Sequence, residues 1–254
     1  GMNIYEISFS PTGGTKKVAD FLANELSREI TNVDLSNGKE DFHRFSLTKE
    51  DVAIVAVPSY SGRVPSTAAE RISKIQGNGA KAIIVCVYGN RAYEDTLVEL
   101  QDLVQQAGFS VVSAVAAIAE HSIAHRYATN RPDEKDYEQL KGFADKIGDK
   151  LKQNDFTTPA IPGNRPYRKA GEAGVVPKPT KACTRCGLCV ARCPVGAIDP
   201  SNPAKVNKKA CISCMRCVSV CPHQARKVNR LLLAVVNMML KKACTERKAC
   251  ELYL

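Results

Sequence analysis

The chain has 254 residues, 44% hydrophobic and 24% charged, an ordinary balance for a globular protein of one large or two smaller domains. Its longest strongly apolar run, 231–240, is too short to span a bilayer, and no basic, apolar leader opens the chain, so a cytoplasmic location is expected. The net charge of +10 is uneven: residues 154–254 hold 18 Lys and Arg against 5 Asp and Glu, whereas residues 1–153 hold 18 against 21.

Gly1 precedes Met2 and reads as a cleavage scar outside the fold. Residues 3–9 then read as a buried strand and 15–29 as an amphipathic helix, with Val18, Phe21, Leu22, Leu26 and Ile30 near helical spacing. A short second strand is expected at 32–35. Residues 52–57 (VAIVAV) and 81–88 (KAIIVCVY) are continuous apolar runs of the kind found in central parallel strands. Helices are expected at 66–76, 93–107 and 133–152, with a fifth strand at 110–118. Alternation of this kind predicts an α/β fold, a doubly wound, five-stranded parallel sheet in the flavodoxin-like arrangement over residues 2–153.

Residues 154–180 change character. Pro159, Pro162, Pro166, Pro177 and Pro179 stand among glycines with little apolar periodicity, which predicts an extended linker that wraps or bridges. Residues 181–228 form a cysteine-rich segment, a small α+β domain. Residues 229–254 are expected to be a helical extension, its apolar positions 231, 232, 235, 236, 239 and 240 packed on the protein.

The cysteine segment repeats at an offset of 28 residues, and each copy reads C-x-x-C-x-x-C-x-x-x-C-P. This spacing suits two [4Fe–4S] clusters: three thiolates wrap one cubane and the fourth, three residues on, crosses to the other. Cys183, Cys186, Cys189 and Cys221 are therefore expected to hold one cluster, and Cys211, Cys214, Cys217 and Cys193 the other. Cys₄ also suits zinc, but two tandem four-cysteine runs each closed by proline favour clusters. The 48-residue segment resembles the two-cluster bacterial ferredoxins. It departs from them at 221–225 (CPHQA), where many members have a glycine, a change expected to alter a turn and not ligation. Cys244 and Cys250 match neither run and read as buried or free thiols; Cys86 reads as a core residue.

Between the first strand and helix lies Ser10-Pro11-Thr12-Gly13-Gly14-Thr15. Hydroxyls, glycines and a helix N-terminus make a phosphate site, and this one resembles the FMN phosphate loop of flavodoxins. Two further loops follow strand ends, where open α/β sheets bind ligands. One is Pro58-Ser59-Tyr60-Ser61-Gly62-Arg63-Val64-Pro65; the other is Tyr88-Gly89-Asn90-Arg91-Ala92-Tyr93. Their mixture of aromatic, glycine and polar residues suits a flat heteroaromatic ring. Tyr60 or Tyr93 is a candidate to stack on the ring, with backbone amides at 61–62 and 89–90 at its polar edge. His121, Ser122 and His125 follow the fifth strand on the same edge.

The combination resembles the EFR1-type ferrodoxins, iron–sulfur flavoproteins of anaerobes, over nearly the whole chain, including Gly163-Asn164-Arg165-Pro166. The resemblance implies electron transfer between two [4Fe–4S] clusters and FMN. Three readings stay open: an electron-transfer flavoprotein serving a redox protein partner through its basic half, an FMN-dependent reductase of a small-molecule acceptor, and a redox sensor. No nucleic-acid partner is expected, since no helix-turn-helix or RNA-binding motif accompanies the basic charge. Oligomeric state is left open by the sequence.

Overall fold

The structure, a computed structural model, describes residues 2–171 and 174–254; Gly1 and residues 172–173 of the expected linker lie outside the described residues. The five predicted parallel strands are present: β1 (Asn3–Ser8), β2 (Glu29–Asp34), β3 (Val52–Pro58), β4 (Lys81–Tyr88) and β5 (Ser110–Ile118). They lie in the order β2-β1-β3-β4-β5, the flavodoxin-like doubly wound order. β3, β4 and β5 are buried almost throughout because Val, Ile and Ala fill both faces of each. The helices are α1 (Gly14–Leu26), α2 (Ser66–Ile72), α3 (Thr96–Gln106) and α4 (Glu134–Lys152). α1 packs with α4, where Phe21 meets Tyr137 with ring centroids 4.9 Å apart, and α2 packs with α3. α4 starts at a capping box in which the Asp133 side chain accepts from Asp136 N–H, and Asp136 answers by accepting from Asp133 N–H.

Several boundaries differ from expectation, among them the start of α3 at Thr96. β2 begins at Glu29, inside the expected first helix, because Ser27 ends α1 with an extended backbone and Ile30 then pairs with Ile4. α2 is short, ending at Ile72. The sheet also carries a sixth strand: β8 (Glu251–Tyr253) pairs antiparallel with β5. The C-terminal segment is therefore not helical to its end.

The smaller region contains β6 (Lys178–Pro179), α5 (Leu188–Arg192), α6 (Arg216–Val220) and β7 (Arg226–Lys227), with β6 and β7 paired antiparallel. The two cysteine runs share a backbone pattern. Arg185 and Ser213, 28 residues apart, are both left-handed (φ 58° and 56°), as are Gly187 and Met215 (78° and 65°) and Gly196 and Gln224 (61° and 49°). The expected altered turn at 221–225 is thus absent: Gln224 takes the conformation that glycine takes in the first run.

Residues 153–177 hold no helix or strand among those described, yet they are strapped to the larger unit. Asp95 accepts from Asn164 N–H (2.9 Å) and Arg168 N–H (2.7 Å), and Arg165 pairs with Asp102 at 2.8 Å. Gly163 passes so close to α3 that a Cβ would lie 2.6 Å from a Val98 methyl. α7 (Arg230–Cys244) lies over the loop after β5, where the Tyr127 hydroxyl donates to Asn237 O at 2.6 Å. Among the described residues no helix is long and apolar enough to cross a membrane.

Candidate functional site

The loops after β1, β3, β4 and β5 meet at the C-terminal edge of the sheet around a cavity of about 460 Å³, a size ordinary for a ligand site. Ser10, Thr12, Gly14 and Thr15 line it from the first loop, Pro58, Ser59, Tyr60 and Ser61 from the second, and Tyr88, Gly89 and Arg91 from the third. Ser10 Oγ accepts from Lys16 N–H at 2.9 Å, which folds the first loop back on the start of α1 and leaves the hydroxyl proton free to donate. Lys16 itself turns away to Glu6, Asp20 and Asn32. Two glycines hold the loops close: a Cβ at Gly14 would lie 2.8 Å from that of Ala119, and one at Gly89 2.5 Å from the His121 ring.

Four predicted residues do not reach the cavity. Gly13, at φ 95°, shapes the entrance to α1. Gly62, at φ 76°, forms with Ser61 the left-handed pair of a tight turn closed by hydrogen bonds between Tyr60 and Arg63. Asn90 faces the C-terminal segment: its Nδ2 donates to Cys244 O and Glu246 O, both at 2.8 Å, and its Oδ1 accepts from Lys248 N–H at 3.0 Å. The Tyr93 hydroxyl lies 3.0 Å from both Glu251 and Tyr253, so this ring is fastened to β8, leaving Tyr60 and Tyr88 as the aromatic walls.

Other lining residues carried no sequence signal as ligand contacts. Leu232, Val235, Val236, Met239 and Leu240 of α7 form an apolar wall, and Ile212 and Ser213 come from the second cysteine run. The apolar face expected to pack on the protein is thus divided: Val236 and Leu240 pack on Tyr127 and Ala124, while Leu231, Leu232, Val235 and Met239 stay 80%, 36%, 46% and 75% exposed. His121 also lines the cavity. Its Nδ1 accepts from Ile123 N–H (3.2 Å) and Ala124 N–H (3.0 Å), so the ring proton sits on Nε2. Burial, aided by His125 and Arg91, pushes its pKa down to about 4. Ser122 lines the cavity; His125 instead pairs with Glu120 at 3.0 Å.

The eight clustered cysteines border two small cavities. Cys183, Cys186, Cys189 and Cys221 surround one, and Cys193, Cys211, Cys214 and Cys217 the other. These are the two sets expected from the spacing, each with its fourth member crossing from the other run. Backbone N–H groups of Arg185, Ala197 and Ala225 donate to the sulfurs of Cys183, Cys193 and Cys221 at 3.3–3.4 Å.

Residues 7–129 match the flavodoxin family, and residues 182–226 match the 4Fe-4S dicluster domain. The chain joins a flavodoxin domain to a ferredoxin-like domain. Among solved structures it is similar to a flavodoxin from the domain Archaea (14% identity, 59% of this chain and 99% of that one, TM-score 0.43). It is likewise similar to a Streptococcus pneumoniae flavodoxin (21%, 58% and 99%, 0.41). A third is a Fusobacterium nucleatum flavodoxin variant bound to flavin mononucleotide (19%, 61% and 98%, 0.39). No curated protein matches the chain.

A flavodoxin domain implies FMN and a 4Fe-4S dicluster domain implies 4Fe–4S clusters, and the residues fit both groups. The flavodoxin cavity joins hydroxyl donors and a helix N-terminus to aromatic and apolar walls, as a phosphate and a flat ring require. In the ferredoxin-like domain, burial pushes the Cys214 thiol up to about 12, so a thiolate there needs a cation such as iron beside it. At Cys221, N–H donors from Ala225, His223 and Arg226 outweigh burial and hold the thiol below its ordinary value. Arg216 Nε, beside the second cavity, is buried with no hydrogen-bond partner among the described residues, an orphan that a cluster sulfide or thiolate would satisfy.

Proposed function

We propose that this chain is an electron-transfer flavoprotein that binds FMN at the C-terminal edge of its sheet and two [4Fe–4S] clusters in its cysteine runs, and passes electrons between them. The observation that carries this reading is a shared wall. Ile212 and Ser213, set between Cys211 and Cys214, border the same cavity as Ser10, Thr12 and Gly14. The second cysteine set therefore adjoins the flavin cavity, while the first, which includes the exposed Cys186, faces outward. The proposed order runs from a redox partner to the outward cluster, to the inner cluster, to FMN.

Clusters pass one electron at a time and FMN holds one or two, so together they join one-electron donors to two-electron acceptors. The chain's own residues bind and enclose. Ser10, Thr12, Thr15 and the N–H groups opening α1 hold the phosphate without a cationic side chain. Tyr60 and Tyr88 would hold the ring between aromatic walls, with Leu232, Val235 and Met239 supplying the apolar side of the same cavity. The linker and the return of β8 to the sheet fix the two domains, proposed at 2–153 and 181–228, against each other, which keeps donor and acceptor at high effective concentration. A second reading, reduction of a small molecule in the same cavity, is favoured by His121, whose Nε2–H is available as a donor.

Anaerobic purification, flavin identification by chromatography and iron analysis test the proposal. It predicts FMN near one per chain and about eight iron atoms, two cubanes of four. Absence of flavin after reconstitution with FMN, or about one iron per cysteine set, contradicts it.

A further inference from the structure

Arg226 is buried (3% exposed), and among the described residues from 174 to 228 no other Lys or Arg is. Among the described residues no acidic side chain answers its charge. Its Nη1 donates to Pro203 O at 2.8 Å and its Nη2 to Pro177 O at 3.2 Å, both neutral carbonyls, and no carboxylate pairs with it among the described residues. Its Nε is buried without a partner among the described residues. An uncompensated buried guanidinium is costly, so a site that keeps one holds an anion beside it. The neighbours are sulfurs. Nη1 lies 3.9 Å from Cys189 Sγ, in the first cysteine set. Arg226 also adjoins the second set, because α6, which carries Cys217, packs against β7, which Arg226 opens. The 28-residue repeat supplies an internal control, because the position equivalent to Arg226 in the first run is Ile198, buried and neutral.

We infer that Arg226 is a potential-setting residue, a fixed positive charge held between the two cysteine sets that favours the reduced state of the clusters they carry. The inference rests on the proposed clusters. Each four-thiolate cluster gains a negative charge on reduction, so a cation in the low-dielectric gap stabilises the reduced form and raises the potential of both. The guanidinium suits the position because it stays charged when buried and spans carbonyls on one side and sulfur on the other.

The test is an anaerobic redox titration of the full chain, followed by EPR of the reduced clusters, on wild type, R226Q, R226M and R226K. R226Q keeps hydrogen-bonding capacity toward Pro203 and Pro177 and serves if R226M does not assemble. Loss of charge is expected to shift the one-electron reduction equilibrium at least about tenfold toward the oxidised form, 59 mV more negative, and R226K is expected to recover most of that shift. Potentials in R226Q and R226M equal to wild type overturn the inference, as does an R226K potential as low as that of R226Q. Failure of wild type to show reduced-cluster EPR signals would instead remove the cluster reading itself.

Discussion

Gly14→Ala tests the flavin cavity at its tightest point. The new methyl would lie 2.8 Å from the Ala119 Cβ, well inside the roughly 3.5–4.0 Å of favourable carbon contact. Ala119 closes the end of β5 and is buried, so the strain falls between the phosphate loop and the histidine loop. Overpacking of this kind costs about 1–3 kcal/mol. Borne by the two loops that hold the ligand, it should weaken the FMN Kd by about 5- to 150-fold. Ala119→Gly removes the opposing methyl, so the double variant should regain wild-type affinity within about threefold, a coupling of roughly 1–2 kcal/mol. The assay is titration of apoprotein with FMN, read by quenching of flavin fluorescence, with thermal unfolding of each variant alongside. Wild-type affinity in Gly14→Ala, or a double variant as weak as the single, refutes the reasoning.

Asn90→Ala strips partners from Lys248 N–H and from the carbonyls of Cys244 and Glu246; stability should fall by about 1–3 kcal/mol, and hydrogen exchange should rise across 244–253 while FMN contacts stay intact. Gln224→Gly relieves a left-handed residue that is exposed; chemical denaturation should show a gain of about 0.5–1 kcal/mol, and a loss contradicts the strain argument. The His121 pKa lies below the ordinary histidine value, so the folded state binds fewer protons than the unfolded one between about 4 and 6.5. Its contribution is therefore complete above about pH 6.5 and lost as pH falls toward about 4, by roughly 3 kcal/mol at most; His121→Gln should flatten the stability profile in that window.

The central strands were legible because burial on both faces leaves an unbroken apolar run, as in Val52–Pro58 and Lys81–Tyr88. β2 was half legible: Ile30 and Val33 alone turn inward on an edge strand, too few to mark its start. β8 was not legible, since three residues cannot declare a period and its pairing depends on tertiary contacts such as Ser113 Oγ donating to Tyr253 O. The grouping of the cysteines around two cavities follows their spacing, because the motif is local within each run. The ring loops were legible as loops, but composition does not say where a side chain points: Asn90 and Tyr93 turn to the C-terminal segment, whose return to the sheet was unforeseen. The same gap hid the α7 wall, where an ordinary amphipathic pattern serves a cavity and not only a core.

The proposed path from cysteine-bound clusters to FMN is most directly tested by stopped-flow under anaerobic conditions, mixing the FMN-loaded protein with a one-electron donor and following cluster and flavin absorbance together. The account predicts that the clusters reduce first and the flavin follows at a rate independent of protein concentration, as transfer across the Ile212–Ser213 wall within one chain requires. A flavin rate that rises in proportion to protein concentration, or a flavin that stays oxidised beside reduced clusters, contradicts it.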